Sequence, residues 1–435
     1  MVGQKRALVI GGSIGGLCAG HLLHRAGWDV TVYERSRSDL ADRGAGLGVS
    51  KELFDIMARI GIEPDPTLSV GAKTSIWLGQ QDEIVQELPR ASRGSTWPVI
   101  YQPLRRAFPS ELYRPGMVLT RIEQDGARVR AVFADGMTEE ADLIVAADGV
   151  MSTVRRQFLP EVAPKLAGYV AWRGIIDEKD IPAPGRDLLF NRIAFAFPEG
   201  EMILSVHVPG PGNEVRPGHR RYYFIWYRPA TPEQQRAMFT DAAGQHHGLS
   251  IPPALIRREF LDEMRAAARA KLSPLLAEIV GLVQAPLLQA ITDMESPGLV
   301  FGRVALMGDA AFVARPHVAA GTSKAALDAA CLVDALAATG GGIDAALARY
   351  NEERCAFGRA IVAHSRYLGA YIEAQIKPPS ERGAAATRDP ARLITDYGAP
   401  HSSRRPRSRS GSVSRAKRRL RCQRRTGNHN EAMRR

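Results

Sequence analysis

Arg6-Ala7-Leu8-Val9-Ile10-Gly11-Gly12-Ser13-Ile14-Gly15-Gly16-Leu17 begins a stretch that closes on Asp29-Val30-Thr31-Val32-Tyr33-Glu34-Arg35. A short apolar run enters a glycine turn, an apolar helical pattern follows from Leu17, and a second apolar run ends on an acid. The order is strand, turn, helix, strand, acid. Glycines let the chain reverse sharply and let backbone N–H groups approach a pyrophosphate, while the helix offers its positive N-terminus to that anion. Glu34 lies 23 residues after Gly11, where an acid accepts hydrogen bonds from an adenosine ribose. The stretch reads as a dinucleotide-binding βαβ unit; the alternative is a glycine turn that packs tightly and binds nothing. In the pattern G-x-G-x-x-G counted from Gly11, Ser13 stands where the middle glycine belongs. It adds a side chain where phosphate comes closest, and a hydroxyl able to donate to it.

Two further strand ends lie downstream. Leu143-Ile144-Val145-Ala146-Ala147 runs into Asp148-Gly149 and then a helix pattern with Arg155 and Arg156. Arg303-Val304-Ala305-Leu306-Met307 runs into Gly308-Asp309, and Arg315-Pro316-His317 with Ala319-Ala320-Gly321-Thr322 follow before an alanine-rich helix over 323–338. In open α/β sheets ligands collect beyond the carboxyl ends of strands. A long helix is expected over 343–375. Gly44, Gly46 and Gly48 alternate, as in a loop passing close to a flat ligand or another backbone.

Between these motifs the pattern changes. A short helix is expected over 53–60, strands over 69–100 with turns at Gly79 and Pro89, a helix over 104–113, and a meander over 118–146 with Asp125-Gly126 and Asp135-Gly136 as turns. Residues 168–174, 191–197, 202–208 and 221–227 are aromatic-rich strands of an antiparallel sheet. Helices are expected over 256–270 and 275–282, and a returning strand over 287–293.

The chain has 435 residues, enough for two to three domains. Its 58 basic and 46 acidic groups are unevenly placed: residues 402–435 hold 13 of the first and one of the second, which leaves 45 of each elsewhere. The body is therefore not a basic protein, and nucleic acid is not an expected partner despite the tail. The tail is too poor in apolar residues for a core; it reads either as a native disordered segment or as the product of a shifted reading frame. Cys18, Cys331, Cys355 and Cys422 form no C-x-x-C pair, so buried thiols in a reducing cytoplasm are expected rather than disulfides or zinc, and no metal site is expected. No run reaches the length of a membrane span.

The three strand ends, in this order and spacing, resemble the single-component flavoprotein aromatic hydroxylases, the p-hydroxybenzoate hydroxylase family. The resemblance covers about residues 5–400. Within it, Gly11-Gly12-Ser13-Ile14, Val32-Tyr33-Glu34-Arg35, Ala167 through Gly174, Gly308-Asp309-Ala310-Ala311 and Arg315-Pro316-His317 resemble the hydroxypyridine-hydroxylating subgroup, in which Ser13 is an ordinary feature. The implied fold is α/β: a Rossmann-like FAD-binding domain (residues 1–70, 98–167 and 290–340) with an inserted antiparallel-sheet substrate domain (71–97 and 168–289), a C-terminal helical segment (341–400) and the basic tail (401–435).

The resemblance also implies roles. Gly11, Ser13 and Gly16 would hold the FAD pyrophosphate, Glu34 the adenosine ribose with Arg35 nearby, and Asp148, Gly149 and Arg155 would match the second motif, tied to FAD and NAD(P)H. Asp309 would bind the ribityl chain; Pro316 and the backbone of Ala320, Gly321 and Thr322 would border the isoalloxazine ring. An arginine common in relatives is replaced by Tyr101-Gln102, which leaves Gln102 a minor candidate. One fingerprint serves one tightly bound FAD, so NAD(P)H is expected to visit transiently. The implied reaction is aromatic hydroxylation with NAD(P)H and O2 through a flavin C4a-hydroperoxide. A base near neutral pKa would assist, and His317 and His207 are the candidates, each with a packing role as its alternative. Trp172, Tyr223 and Trp226 are candidates to line the substrate pocket, with core packing as theirs; Arg173 and Arg315 could pair with an acidic substrate or bridge strands. His21, His24 and His364 read as surface or packing residues. A small aromatic substrate, O2 and a cytoplasmic setting are expected, and a homodimer stays open. A reductase, a halogenase-like enzyme, a non-catalytic flavin binder and a tail-driven nucleic-acid binder are the rival readings; the tryptophan-rich halogenase motif is absent.

Overall fold

The computed structural model describes residues 4–40, 46–63, 65–340 and 342–398. The expectations for Gly44, Cys422 and the tail fall outside the described residues.

A six-stranded sheet carries all three motifs. Its first strand, β1 (Arg6–Ile10), leads through the glycine turn into helix α1 (Ile14–Arg25) and then β2 (Asp29–Glu34). The strand order is Val300–Phe301, Val304–Leu306, Leu143–Ala146, β1, β2, Tyr113–Pro115. All neighbours are parallel except the edge pair Val300–Phe301 with Val304–Leu306. Residues Ala7–Ile10 and Leu143–Ala146 are buried throughout, because both faces of such a sheet are covered and the strands must be apolar on both. The long alanine-rich helix Gly321–Ala338 lies beside α1, and small side chains allow that close approach. A three-stranded meander, Leu119–Asp125, Arg128–Phe133 and Thr138–Ala141, adjoins the sheet; the Phe133 ring lies 4.7 Å from that of Tyr33.

The second sheet has ten strands. Its main path runs Ser250–Ile251, Leu287–Glu295, Lys165–Asp177, Arg221–Pro229, Met202–Val208, Arg192–Ala196, Val70–Leu78, Ile84–Thr96, Gly46–Gly48, with Phe312–Val313 paired to Leu287–Glu295 off that path. Alternation sorts its side chains into two buried layers. Trp172, Tyr222, Phe224 and Trp226 join an apolar cluster with Met264, Leu276 and Ile279 of the helices Arg258–Lys271 and Pro274–Leu282. Tyr169, Tyr223, Ile225 and Tyr227 join another with Ile372 of the long helix Ile343–Glu373 and Ile394 of Pro390–Asp396.

Two local expectations are corrected. Pro89 makes no turn but lies inside Ile84–Thr96, opposite Thr74. The strand Gly46–Gly48 reaches only to Gly94–Thr96 on the other side, so Pro89 lacks a partner there and its missing N–H breaks no ladder. The helix expected over 104–113 is Trp97–Ala107, with Pro98 in its first turn, where a missing N–H costs nothing.

Candidate active site

The three motifs meet at one edge. Strands Val304–Leu306, Leu143–Ala146 and β1 are adjacent and parallel, so Gly308-Asp309, Asp148-Gly149 and the glycine turn all follow the carboxyl ends of neighbouring strands.

The glycine turn is held by close contact. Gly11 has φ of +107°, and a Cβ there would stand 2.3 Å from the Ala147 carbonyl oxygen. A Cβ on Gly16 would stand 1.8 Å from the Gly11 oxygen; the helix thus rests directly on the turn. The buried Glu34 carboxylate accepts the N–H of Gly12 at 2.8 Å and of Ser36 at 2.9 Å. Each oxygen keeps a second lone pair for a hydroxyl donor. Ser13 is the N-cap of α1, yet its side chain makes no capping bond. The first-turn N–H groups of α1 and the Ser13 hydroxyl therefore remain available to an anion. Arg35 is exposed at the strand end, and Gln102 is exposed on its helix.

The second motif turns inward. Asp148 accepts hydrogen bonds from Ser152 Oγ at 2.6 Å and from the N–H groups of Thr153 at 2.7 Å and Val154 at 3.2 Å. Burial raises its carboxyl above the ordinary value, against those bonds. Gly149 supplies the positive φ (+77°) that the corner needs. Arg155 is 1 % exposed. Its guanidinium donates to the carbonyls of Val162 (3.2 Å), Ala310 (3.2 Å) and Val150 (2.7 Å). Asp148 and Arg155 thus build the corner and tie it to the third motif.

Asp309 differs. Its side chain is exposed and has no hydrogen bond or ion pair among the described residues, yet protein atoms surround it closely enough that desolvation raises its carboxyl. Exposure with crowding means a concave position. The Gly308 N–H donates to Asp328 at 2.9 Å, and Lys324 Nζ donates to the Gly308 carbonyl at 2.7 Å. Lys324 and Asp328 are buried and paired with each other, and Arg354 pairs with Asp328 at 2.6 Å. Neither residue was expected at the site; an i,i+4 charge pair inside an alanine-rich helix was the available signal.

Beyond Asp309 the chain passes Pro316 and reaches Ala319 with φ of +48°. The helix Gly321–Ala338 then starts with no side-chain cap, and Gly321 faces open space. Opposite runs Gly46–Gly48. A Cβ on Gly46 would meet the Tyr223 ring at 2.3 Å and one on Gly48 would meet Ala319 Cβ at 2.9 Å, so these glycines permit close approach of strand, ring and loop.

FAD can be tested against these residues. An uncapped helix start with a free serine hydroxyl fits a pyrophosphate; a buried acid at the second strand's end fits a ribose. A concave, unpartnered aspartate fits a ribityl hydroxyl, and a second uncapped helix start beside a glycine strand fits the electron-rich edge of an isoalloxazine. The donor set agrees with the group. Two surface cavities, of about 560 and 760 Å³, lie elsewhere, beside Phe239 and Leu249 and beside Arg366 and Glu373. Arg315 lines the second, but neither is lined by the glycine turn, Glu34, Asp148, Asp309 or the Gly321 helix start, so the site is assigned by its chemistry, not by cavity size.

The candidates for catalysis and substrate are divided by strand parity. Trp172 and Trp226, both 0 % exposed, sit opposite each other and pack on the helical side. His207 points to that side too, buried near Tyr222, with Nε2 3.3 Å from the Glu178 carboxylate that Arg220 also engages at 2.9 Å. Burial lowers its pKa, partly offset by Glu178. These three expectations are corrected: alternation turns the side chains away from the cleft. Tyr223 lies on the cleft side.

His317 also lies there, but it is 0 % exposed. Its Nε2 shares a hydrogen bond of 2.8 Å with the Tyr169 hydroxyl, and its ring is 4.3 Å from that of Tyr227. Gly369 makes room for this pair: a Cβ there would meet the Tyr169 oxygen at 2.2 Å. Burial, then the charges of Arg315 and Arg173, push the His317 pKa down to about 3. A group this weak is a poor base at neutral pH. Its proton linkage is measurable. The unfolded chain protonates near 6.5 and the folded one near 3, so between these values the unfolded state binds more protons and stability falls as pH falls. The slope is at most about 1.4 kcal/mol per pH unit. Urea unfolding of His317→Gln from pH 6.5 to pH 4 is expected to lack this contribution; an unchanged slope would mean that His317 titrates normally. Arg315 pairs with Asp293 at 2.7 Å and Glu373 at 2.6 Å, which makes it a bridge between elements.

His21 bonds the Leu104 carbonyl at 2.9 Å, a packing role. Among the described residues no helix is long and apolar enough to cross a membrane.

Comparison with known proteins agrees with this geometry. Residues 166–293 match a family described as FAD binding domain-like, and residues 290–365 one described as FAD binding domain. The 2,6-dihydroxypyridine 3-monooxygenase of Paenarthrobacter nicotinovorans is 31% identical over 331 residues, 76% of this chain and 82% of that one. The 6-hydroxynicotinate 3-monooxygenase of Bordetella bronchiseptica is 30% identical over 353 residues, 78% and 85% of the two chains. The solved structure of 2,6-dihydroxypyridine-3-hydroxylase from Arthrobacter nicotinovorans superimposes with a TM-score of 0.80 at 27% identity, covering 87% of this chain and 96% of that one.

Proposed function

Because this chain belongs to the FAD-dependent aromatic monooxygenases, we propose that it hydroxylates a hydroxypyridine or a related phenolic ring. One oxygen atom of O2 enters the ring, the other leaves as water, and NAD(P)H supplies the two electrons. The observation that supports this most is the meeting of the glycine turn, Asp148-Gly149 and Gly308-Asp309 at the carboxyl ends of three adjacent parallel strands.

In this reading Gly11, Ser13 and Gly16 receive the pyrophosphate, Glu34 the adenosine ribose and Asp309 the ribityl chain. Arg35 stands beside the ribose, while Asp148, Gly149 and Arg155 hold the corner in shape. Pro316, Ala320, Gly321 and Thr322 border the ring system, and the N-terminus of Gly321–Ala338 stabilises negative charge there. FAD, when bound, supplies the hydride acceptance and oxygen activation. Tyr223 and the apolar layer around it exclude water and orient the aromatic ring. His317, held neutral, serves as a hydrogen-bond partner. The two domains divide as the sequence motifs do, one carrying cofactor and the other substrate. We further propose a cytoplasmic enzyme, with a homodimer as its assembly, in which residues 402–435 serve no nucleic acid.

A screen of hydroxypyridines and phenols tests the reading. One of them should stimulate NAD(P)H oxidation by the flavin-loaded protein and yield a product heavier by one oxygen. If no ring does both, the substrate class is wrong.

A further inference from the structure

The cavity of about 760 Å³ beside Arg366 and Glu373 is lined by six cations and two carboxylates. The carboxylates are consumed. Asp293 pairs with Arg315 and with Arg366, each at 2.7 Å, and Glu373 pairs with Arg315 at 2.6 Å. Arg366 also pairs with Glu295. Lys165, Lys377, Arg382 and Arg388 remain, and no carboxylate among the described residues lies within ion-pair distance of any of them. Outside residues 402–435 the chain holds as many acidic as basic groups, so four unpaired cations around one concave space depart from the balance of the body. A cleft lined by one sign of charge focuses its field and gathers counter-ions.

The two arginines are held in place yet keep donors free. Arg382 donates from Nε to the Lys377 carbonyl at 3.1 Å and from Nη2 to that of Gln375 at 3.4 Å. Arg388 donates from Nη1 to the Tyr367 carbonyl, and its guanidinium lies 3.8 Å over the Tyr367 ring. A guanidinium has five N–H groups in a fixed fork, so Arg382 Nη1 and the Nε and Nη2 of Arg388 are left for a ligand. Forks of this kind match the paired oxygens of a phosphate. The side chains of Lys165 and Lys377 are exposed and make no hydrogen bond or ion pair with the described residues. Ala363 and Ala370 of the helix Ile343–Glu373 form part of the floor; their small side chains leave the space unfilled.

Two parts of the chain meet at this cavity. Lys165 opens the strand Lys165–Asp177, opposite Asp293. Lys377, Arg382 and Arg388 belong to the strap that follows the long helix and runs on to Gly398. Farther along, the strap is clipped to the body. Arg90 donates to the Ile394 carbonyl at 2.6 Å and to that of Tyr397, His364 Nε2 lies 3.0 Å from the carbonyls of Asp396 and Gly398, and the Tyr397 hydroxyl is hydrogen-bonded to that of Tyr227. The Gly398 N–H donates to the His317 carbonyl at 3.0 Å. In residues 377–388 it is instead the cations that face the body across the cavity, so an anion placed among them bridges strand and strap.

We propose that this cavity binds a phosphate-bearing small molecule, with Arg382 and Arg388 on its phosphate oxygens and Lys165 and Lys377 as further counter-charges, and that the bound anion fastens residues 377–388 to the inserted sheet. A single carboxylate carries too little charge to balance four cations; a diphosphate group comes closer. Two sources share that chemistry, a pyridine nucleotide and a separate phosphorylated metabolite. The first rests on the monooxygenase reading; the phosphate site itself does not.

The test uses the flavin-loaded protein, so that the glycine turn is already occupied, with inorganic pyrophosphate as the probe and acetate as the carboxylate control. Binding is read by thermal unfolding and calorimetry, and the strap by amide hydrogen exchange. Pyrophosphate should raise the unfolding temperature more than acetate does, less so at high salt, and should slow exchange over residues 377–388. The double variant Lys165→Gln with Lys377→Gln should weaken pyrophosphate by about 10- to 100-fold. Without ligand it should unfold as wild type does, because both side chains are exposed and unpaired. Lys73→Gln, an exposed lysine on Val70–Leu78, should bind as wild type. The proposal is overturned if pyrophosphate leaves the melt or the exchange unchanged, if the double variant binds it as wild type does, or if Lys73→Gln weakens it equally. Displacement of pyrophosphate by NADPH or NADH, with a raised KM for that nucleotide in the double variant, identifies the nucleotide as the source; binding that neither displaces identifies a separate metabolite. Pyrophosphate binding through these lysines without any hydroxyaromatic-stimulated NAD(P)H oxidation would remove the monooxygenase reading and leave the site. Turnover by a protein that binds no pyrophosphate would do the reverse.

Discussion

Gly16→Ala is expected to give a protein that no longer retains flavin and has lost roughly 1–3 kcal/mol of stability, the usual range for overpacking. The added methyl would stand 1.8 Å from the Gly11 carbonyl oxygen. That oxygen is backbone, so no side chain can swing away. Gly11 cannot retreat easily, because its own Cβ position lies 2.3 Å from the Ala147 oxygen. Relief therefore moves α1 away from β1, and with it the N-terminus that faces the pyrophosphate. Gly15→Ala is the control: its methyl would meet the Ala325 side chain at 2.9 Å, outside the turn itself. The flavin-to-protein absorbance ratio and a thermal melt check both variants. Full flavin content and an unchanged melt for Gly16→Ala would show that the turn tolerates displacement.

The second large effect is Asp328→Ala. This buried carboxylate takes the Gly308 N–H at 2.9 Å, Lys324 at 3.3 Å and Arg354 at 2.6 Å. Removing it leaves two cations in the interior without a counter-charge and the Gly308 N–H without an acceptor. Breaking a buried pair in this way costs about 3–5 kcal/mol. The turn that presents Asp309 loses its clamp at the same time, so flavin affinity falls together with stability. Asp334→Ala on the same helix separates charge from position: Asp334 is exposed and pairs with Arg59 at the surface, where such a pair contributes little. Urea unfolding and reconstitution of the stripped protein with FAD measure the two consequences. Equal behaviour of the two variants would remove the clamp from the account.

The βαβ unit was legible because its determinants are neighbours in the chain. Glycines at Gly11 and Gly16, an apolar run before them and an acid at Glu34 encode a turn whose geometry depends on those residues alone. The other strand ends were legible for the same reason. What each acid does at its strand end was not. Asp148 and Asp309 both follow a buried strand beside a glycine, yet Asp148 is consumed by Ser152, Thr153 and Val154. Asp309 is left open because Gly308 is clamped from another helix.

The aromatic strand shows the limit most clearly. Tyr223 and Trp226 are three residues apart, so alternation already places them on opposite faces. Composition could not say which face meets the cleft, since Tyr222, Phe224 and Trp226 are as apolar and as buried as Tyr223, Ile225 and Tyr227. Packing decided it: two helices cover one face, and the His317 loop with the Tyr397 strap covers the other. By itself the sequence determined a dinucleotide fold, its cofactor class and the strand ends that carry them, because those are local turn chemistry. Only the tertiary structure decided how the polar groups pair among the tyrosines, with Arg173 on the Tyr223 hydroxyl and no carboxylate among the described residues beside it, because pairing depends on residues that the fold brings together from distant positions in the chain.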